Sequence, residues 1–252
     1  MNAPKVTVEE IRAMKGREKI AALTAYDFPM ARLLDECGLP LLLVGDSLGM
    51  VVLGYPDTTQ VTMAEMIHHT RAAARGCSRA LLGADLPFQS YENPGDAAAN
   101  ARQLAQAGAQ FVKAEGGREI LAQVQAILAA GIPFCGHLGM LPQHVLEEGG
   151  YHVKGRKKSE HQALLDDAMA LADAGAFAIV LELVAPAVAG EITAHIPIPT
   201  IGIGSGPDCD GQILVTPDLT GSFPWFTPRF VTPRAHCAAA AKAAVTEWKN
   251  SL

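Results

Sequence analysis

The apolar run Leu41-Leu42-Leu43-Val44 follows Pro40 and breaks off at Gly45-Asp46-Ser47, and the same arrangement returns along the chain. Ala80-Leu81-Leu82-Gly83-Ala84 ends on Asp85, Phe111-Val112-Lys113-Ala114 on Glu115, and Phe177-Ala178-Ile179-Val180-Leu181 on Glu182. A short run without polar alternation reads as a strand buried on both faces, the usual condition of a parallel sheet. A carboxylate at the end of such a strand is costly unless it meets a metal, a proton or a partner charge. The stretches Leu104-Ala105-Gln106-Ala107-Gly108-Ala109 and Leu171-Ala172-Asp173-Ala174-Gly175-Ala176 form a weak internal repeat, each just ahead of an apolar run. Helix, glycine stop and buried strand therefore recur as one unit.

Read in order, Thr7-Val8-Glu9-Glu10 has capping-box spacing and opens a short helix to about Met14. Strands are expected at 20–25, 40–46, 80–85, 110–115, 133–137, 177–182, 200–203 and 212–215. Helices are expected at 29–36, from a second capping box at Thr62-Met63-Ala64-Glu65 to Arg75, and at 96–107, 119–130 and 186–194. Ser159 should cap a helix reaching Ala174. Thr232-Pro233, a cap with proline at the first helical position, should open a C-terminal helix to about Lys249. Parallel strands need helical crossovers, and eight of them close a ring. The expectation is an α/β fold, a (β/α)8 TIM barrel with an extra N-terminal helix, as a single domain over 1–252. A doubly wound open sheet competes, but it gathers its chemistry at one switch point, whereas acids here end strands two, three, four and six.

At 252 residues, 49% apolar and 18% charged, core material is ample for such a barrel. A net charge of −6 argues against a nucleic-acid or anionic-membrane surface. No apolar run approaches the length of a membrane span, and Met1-Asn2-Ala3-Pro4-Lys5 lacks the apolar core of a signal peptide. Five scattered cysteines without a CxxC motif fit free thiols in a reducing cytoplasm.

In a barrel of this kind the C-terminal strand ends form the mouth of the active site, which would bring Asp46, Asp85, Glu115, His137 and Glu182 together. Hard oxygen ligands without Cys–His pairing suit Mg²⁺ rather than zinc. The competing reading is that each acid caps a helix or pairs with an arginine. Lys113 lies two residues before Glu115 and points to the same side of its strand. There it would hold a substrate oxygen or balance the acids. His137 could donate to a substrate oxygen or simply sit in the core. Gly202-Ile203-Gly204-Ser205-Gly206 lacks dinucleotide-binding spacing and reads as a tight turn beside substrate. The basic, glycine-rich stretch 149–158 reads as a lid or a solvated loop. Asp208-Cys209-Asp210 could be a further metal site or an ordinary acidic turn.

The ordered set TAYD (24–27), VGDSLGM (44–50), ADLPF (84–88), VKAEGG (112–117), CGHLG (135–139), the Leu181-Glu182 pair, IGIGSG and DGQILV (201–215) resembles the ketopantoate hydroxymethyltransferase family, of the phosphoenolpyruvate mutase/isocitrate lyase-like barrel superfamily. The resemblance runs nearly end to end. It implies that Asp46, Asp85 and Glu115 hold or surround Mg²⁺, that Asp46, Ser47, Asp85 and Lys113 contact a 2-oxoacid, and that Glu182 is the general base. It implies 5,10-methylenetetrahydrofolate as co-substrate, hydroxymethyl transfer in pantothenate biosynthesis, and a homo-oligomer, a decamer built as two rings of five. Composition by itself supports only some homo-oligomer. Departures lie beside the acids: Ser205 where alanine is usual, Pro217 before Asp218, and Met140-Leu141-Pro142-Gln143-His144 in place of the usual LTPQS. Two other readings stand beside this one: a Mg²⁺-dependent 2-oxoacid lyase or mutase of the same superfamily, and a non-catalytic oligomeric paralogue.

Overall fold

The structure, a computed structural model, describes residues 4–252. These form two compact units, one running to Ile213 and the other Leu214–Leu252.

The first unit opens with α1 (Val8–Ala13), where Thr7 and Glu10 make the reciprocal capping box that their spacing predicts. The chain then alternates: β1 (Ile20–Thr24), α2 (Phe28–Glu36), β2 (Leu41–Val44), a π-helical turn at Gly49–Leu53, α3 (Met63–Gly76), β3 (Leu81–Asp85), α4 (Pro94–Ala107), β4 (Phe111–Glu115), α5 (Leu121–Ala129), β5 (Phe134–Gly139), α6 (Lys158–Ala174), β6 (Ala178–Glu182), α7 (Pro186–His195), β7 (Thr200–Ile203) and β8 (Gly211–Leu214). The strands pair in sequence order into a closed barrel, and each described neighbour pair is parallel. The TIM-barrel expectation is correct.

Alternation along each strand sends every second side chain into the barrel. The inward column of β4 runs Phe111, Lys113, Glu115, and that of β3 runs Leu81, Gly83, Asp85. The lower part of these columns belongs to one apolar cluster with Ile20, Leu41, Leu43, Cys135, Phe177, Val180, Ile201 and Ile213. Phe111 and Phe177 meet edge to face, their ring centroids 5.0 Å apart. Gly83 is what admits Phe111: a Cβ built at that glycine would fall on the phenyl ring. Each column is thus apolar at the bottom and polar at its C-terminal end, where the site lies.

The helices expected from 96 and 119 start at Pro94 and Leu121, and two others start without the cap the spacing predicts. α6 begins at Lys158 after Lys157, without a side-chain cap, so Ser159 lies inside the first turn. Glu160 turns back to accept the Gly155 N–H at 3.2 Å. In the second unit, α8 (Thr216–Thr220) is short and α9 (Cys237–Asn250) starts five residues after Thr232. Backbone hydrogen bonds decide this start. The Arg234 N–H goes to the Leu219 carbonyl and the Ala238 N–H to that of Gly221, so the Thr232-Pro233 segment follows α8 as a loop. Among the described residues no helix is long and apolar enough to cross a membrane.

Candidate active site

Strand register assembles the site. Asp85 is paired with Lys113, Glu115 with His137, and Gly139 with Glu182 across successive ladders. Asp46 joins from the turn after β2, where its backbone N–H donates to Asp85 Oδ2 at 3.1 Å. Asp46, Asp85, Lys113, Glu115 and His137 are all buried, and the Glu182 side chain is 14% exposed. Ser47 sits beside Asp46, its hydroxyl 2.9 Å from that of Tyr26.

Within this group Lys113 Nζ is 3.2 Å from Asp85 Oδ1, an ion pair without hydrogen-bond alignment, and 2.9 Å from His137 Nδ1. An ammonium has only donors, so Nδ1 must accept and the imidazole proton belongs on Nε2. That nitrogen faces Glu182 Oε2 at 3.2 Å. On the other side, Glu115 Oε2 accepts the Gln143 N–H at 3.0 Å, and Asp46 Oδ2 accepts from Gln143 Nε2 at 2.7 Å.

Burial opposes charge on Lys113, but Asp85, Asp46 and Glu115 outweigh it and hold the ammonium firmly protonated. The acids respond the other way. Burial, then the charge of Asp85, lifts Asp46 to about 7. Burial also raises Asp85, and burial with the charge of Asp46 takes Glu115 well above the carboxylate range. Burial raises Glu182 to about 8. His137 is pushed well down, by burial and by Lys113, and is neutral. Four carboxyl groups therefore share one ammonium in a dry site, and the buried oxygens Asp85 Oδ1 and Glu115 Oε1 lack a hydrogen bond. A divalent cation would answer both the excess of acid and the unpartnered oxygens.

Among the described residues no three His, Cys, Asp or Glu side chains stand ready to hold a metal ion between them. Gln143 donates to both Asp46 and Glu115, from its side-chain amide and its backbone N–H. Asp46 and Asp85 do adjoin, the Asp46 backbone N–H donating to Asp85 Oδ2. Two carboxylates are a sufficient protein contribution for Mg²⁺, which keeps several waters or substrate oxygens.

Other segments singled out in the sequence take clear places. Ser205 is buried, donating to the Leu181 carbonyl at 2.7 Å and accepting from the Val184 N–H at 2.9 Å. It thereby clamps the turn that carries Glu182. The 149–158 stretch is tied to that turn, the Lys154 N–H donating to the Leu183 carbonyl and the Ala185 N–H to that of Lys154. The Tyr151 phenol, although nearly half exposed, is pushed up by burial first and then by the charges of Glu182, Asp46 and Glu115. Asp210 takes Lys15 Nζ at 2.9 Å together with the Gly16 and Thr200 N–H groups, a structural brace far down the barrel. Gln143 and Tyr91 were not singled out by type or spacing. The one signal for Gln143 was its place in a stretch that departs from the family pattern.

The family model described as ketopantoate hydroxymethyltransferase matches residues 5–252. The 3-methyl-2-oxobutanoate hydroxymethyltransferase of Carboxydothermus hydrogenoformans is 53% identical over 251 residues, covering 98% of this chain and 91% of that one. Among solved structures, a phosphonopyruvate hydrolase complexed with oxalate and Mg²⁺ superposes with a TM-score of 0.64 at 17% identity, over 95% of this chain and 84% of that one. A 2,3-dimethylmalate lyase, of the PEP mutase/isocitrate lyase superfamily, gives a TM-score of 0.61 at 17% identity, over 97% of this chain and 87% of that one. These structural likenesses show the barrel, and the sequence match shows the rest: this chain belongs to the ketopantoate hydroxymethyltransferase family.

Proposed function

We propose that the chain transfers a hydroxymethyl group to 3-methyl-2-oxobutanoate, giving 2-dehydropantoate, with Glu182 as the base and a Mg²⁺ ion held by Asp46 and Asp85. The observation that carries this reading is the dry cluster of four carboxyls around Lys113, with oxygens of Asp85 and Glu115 left without hydrogen bonds. Glu115, whose Oε1 is without a hydrogen bond, would add negative charge to the surroundings of a cation that lowered its pKa. When bound, Mg²⁺ supplies Lewis-acid polarisation of the 2-oxoacid's keto and carboxylate oxygens. Glu182 then takes the proton from C3 of the oxoacid. Its raised pKa matches that task, since a base works best when poised near the operating pH. Lys113 offers its ammonium to the oxoacid's negative charge. His137, neutral and bearing its proton on Nε2, faces Glu182. Ser47, tied to Tyr26, offers its hydroxyl to the oxoacid. The C3 carbon so activated bonds to the methylene carbon of 5,10-methylenetetrahydrofolate; the two bonds from that carbon to nitrogen break, water supplies the hydroxyl oxygen, and tetrahydrofolate leaves with the protons from Glu182 and that water on its nitrogens.

A cytoplasmic setting and a homo-oligomer, a decamer by family resemblance, belong to the same reading. All five cysteines are free thiols, and the second unit exposes Trp225, Phe226 and Trp248. Light scattering tests the assembly, and a single monomeric species would refute it. The function is tested by following exchange of the C3 proton of 3-methyl-2-oxobutanoate in D₂O, with Mg²⁺ and with excess chelator, and then adding methylenetetrahydrofolate. Cation-dependent exchange followed by capture of the one-carbon unit is the expected result. Full exchange and turnover in chelator would overturn the cation's part. Cleavage of a carbon–carbon bond in a 2-oxoacid without one-carbon capture would favour the lyase chemistry of the wider superfamily.

A further inference from the structure

Asp85 ends a strand, so the sheet sets the direction of its side chain. Asp46 does not have that support: it lies beyond β2, in the turn from Gly45 to Leu48. Its carboxyl group needs another brace if it is to meet a ligand in a fixed geometry.

Gln143 supplies one. It lies in the 3₁₀ turn Pro142–His144 after β5 and is 3% exposed. Its side-chain amide donates to Asp46 Oδ2 at 2.7 Å and to the Leu86 carbonyl at 3.0 Å. The amide oxygen accepts from the Tyr91 hydroxyl at 2.6 Å, and the backbone N–H holds Glu115 Oε2 at 3.0 Å. Both hydrogens and the oxygen of the amide are thus engaged, which leaves it no alternative orientation of equal quality. The Leu86 carbonyl, which can only accept, decides which way round the amide lies. The Tyr91 hydroxyl then meets Gln143 Oε1 at 2.6 Å, with a longer second contact of 3.2 Å to the Glu115 carbonyl. The acceptor end is therefore fixed on Tyr91 and the donor end on Asp46.

The geometry points to Gln143 as a positioning residue for the cation site, holding one oxygen of Asp46 in a fixed hydrogen bond so that the other is presented to a divalent cation, with Tyr91 acting through it. This rests on the proposed reading of Asp46 and Asp85 as cation ligands. Partners of this kind, which orient a ligand without touching the metal, are typically worth about 10–100-fold in affinity or activity.

The test uses the full chain, with Mn²⁺ and Mg²⁺ alone as probes, and measures cation binding by calorimetry beside a melting curve. Gln143→Met keeps the length and the backbone donor to Glu115 but removes the amide. It should raise the cation Kd by about 10–100-fold, and proton exchange should recover at high Mg²⁺, a rescue that a merely structural defect would not show. Tyr91→Phe should shift the Kd in the same direction by less, and it carries the test if Gln143→Met does not fold. The double variant should bind no more weakly than Gln143→Met alone. A folded Gln143→Met, or Tyr91→Phe in its place, that binds cation as the unaltered protein does would overturn the inference, as would fully additive losses. Asp46→Asn separates the two levels of the argument. If it loses the cation while the Gln143 and Tyr91 variants keep it, only the positioning role falls. If it binds cation like the unaltered protein, the cation site is misplaced and both fall.

Discussion

Lys113 Nζ stands 2.9 Å from Nδ1 of His137, and this contact settles the state of the imidazole. The lysine is held charged by Asp85, Asp46 and Glu115 despite its burial. A charged donor at Nδ1 excludes a proton there and leaves Nε2–H facing Glu182.

¹⁵N NMR of the imidazole should therefore show one neutral tautomer, protonated at Nε2, with no titration across about pH 5–8. Burial and Lys113 hold the folded His137 well below its ordinary value, while the unfolded chain takes up a proton near ~6.5. His137 thus contributes to stability above that value, and the contribution is lost as pH falls below it. A His137 resonance that titrates near its ordinary value in the folded protein would contradict the arrangement.

Asp35 offers a test of the scaffold away from the chemistry. At the end of α2 it accepts from Ala80 N at 2.7 Å, Arg79 N at 2.9 Å and Ser78 Oγ at 2.6 Å, fixing the approach to β3 and so to Asp85. Burial pushes its pKa up, but these hydrogen bonds outweigh burial and hold it below the usual value. The lowered pKa means a contribution to stability present at neutral pH and lost as pH falls below the unfolded value of ~3.9 toward the folded one. Asp35→Ala strands these donors and should cost about 2–4 kcal/mol, since each orphaned buried group is worth roughly 1–3 kcal/mol. Denaturant melts at neutral and acid pH check both the size and the convergence of the two proteins at low pH.

Ser205→Ala should act on the turn bearing Glu182. Leu183, the next residue, has φ of 47°, a left-handed conformation uncommon outside glycine. The Ser205 hydroxyl joins the Leu181 carbonyl to the Val184 N–H across this turn. Removing it orphans a buried N–H at a cost of about 1–3 kcal/mol. A melting temperature unchanged by Ser205→Ala would mean that the clamp contributes nothing.

What the sequence disclosed, and what it hid, follows from the range of the interactions. The strands ending in Asp85, Glu115 and Glu182 were legible because an apolar run and its terminal acid are neighbours in the chain, and closure of the barrel follows from their spacing. The capping boxes at Thr7 and Thr62 were legible for the same reason. Gln143 was not, because it reaches Asp46 over 97 residues and Glu115 over 28, and no local spacing encodes such a brace. The C-terminal helix was misplaced because Thr232-Pro233 is a good local cap overruled by backbone bonds to Leu219 and Gly221. Ser205 was visible as part of a tight turn and as a departure from a pattern. Its hydroxyl acquires a purpose once Leu181 and Val184 are brought to it.

Glu182→Gln separates a base from a brace. The glutamine keeps the volume and leaves an amide oxygen to face His137 Nε2, which lies 3.2 Å from the carboxylate, but it cannot take a proton from carbon. Exchange at C3 of 3-methyl-2-oxobutanoate should fall by about 10²–10⁴-fold, the usual worth of a positioned base, while Mg²⁺ and oxoacid affinities stay nearly normal. The pH profile adds a sign. Burial raises Glu182 to about 8, and only its deprotonated form is a base, so exchange in the unaltered protein should rise with pH through a limb set by this group. A cation bound at Asp46 and Asp85 favours the carboxylate form and should move that limb below 8. In Glu182→Gln the limb should vanish along with the rate. If Glu182 only braced the barrel, the variant would melt earlier, exchange at an unchanged rate per folded molecule and keep its limb. NMR exchange measured across pH beside a melting curve therefore decides the role, since a base moves the first signal and a brace moves the second.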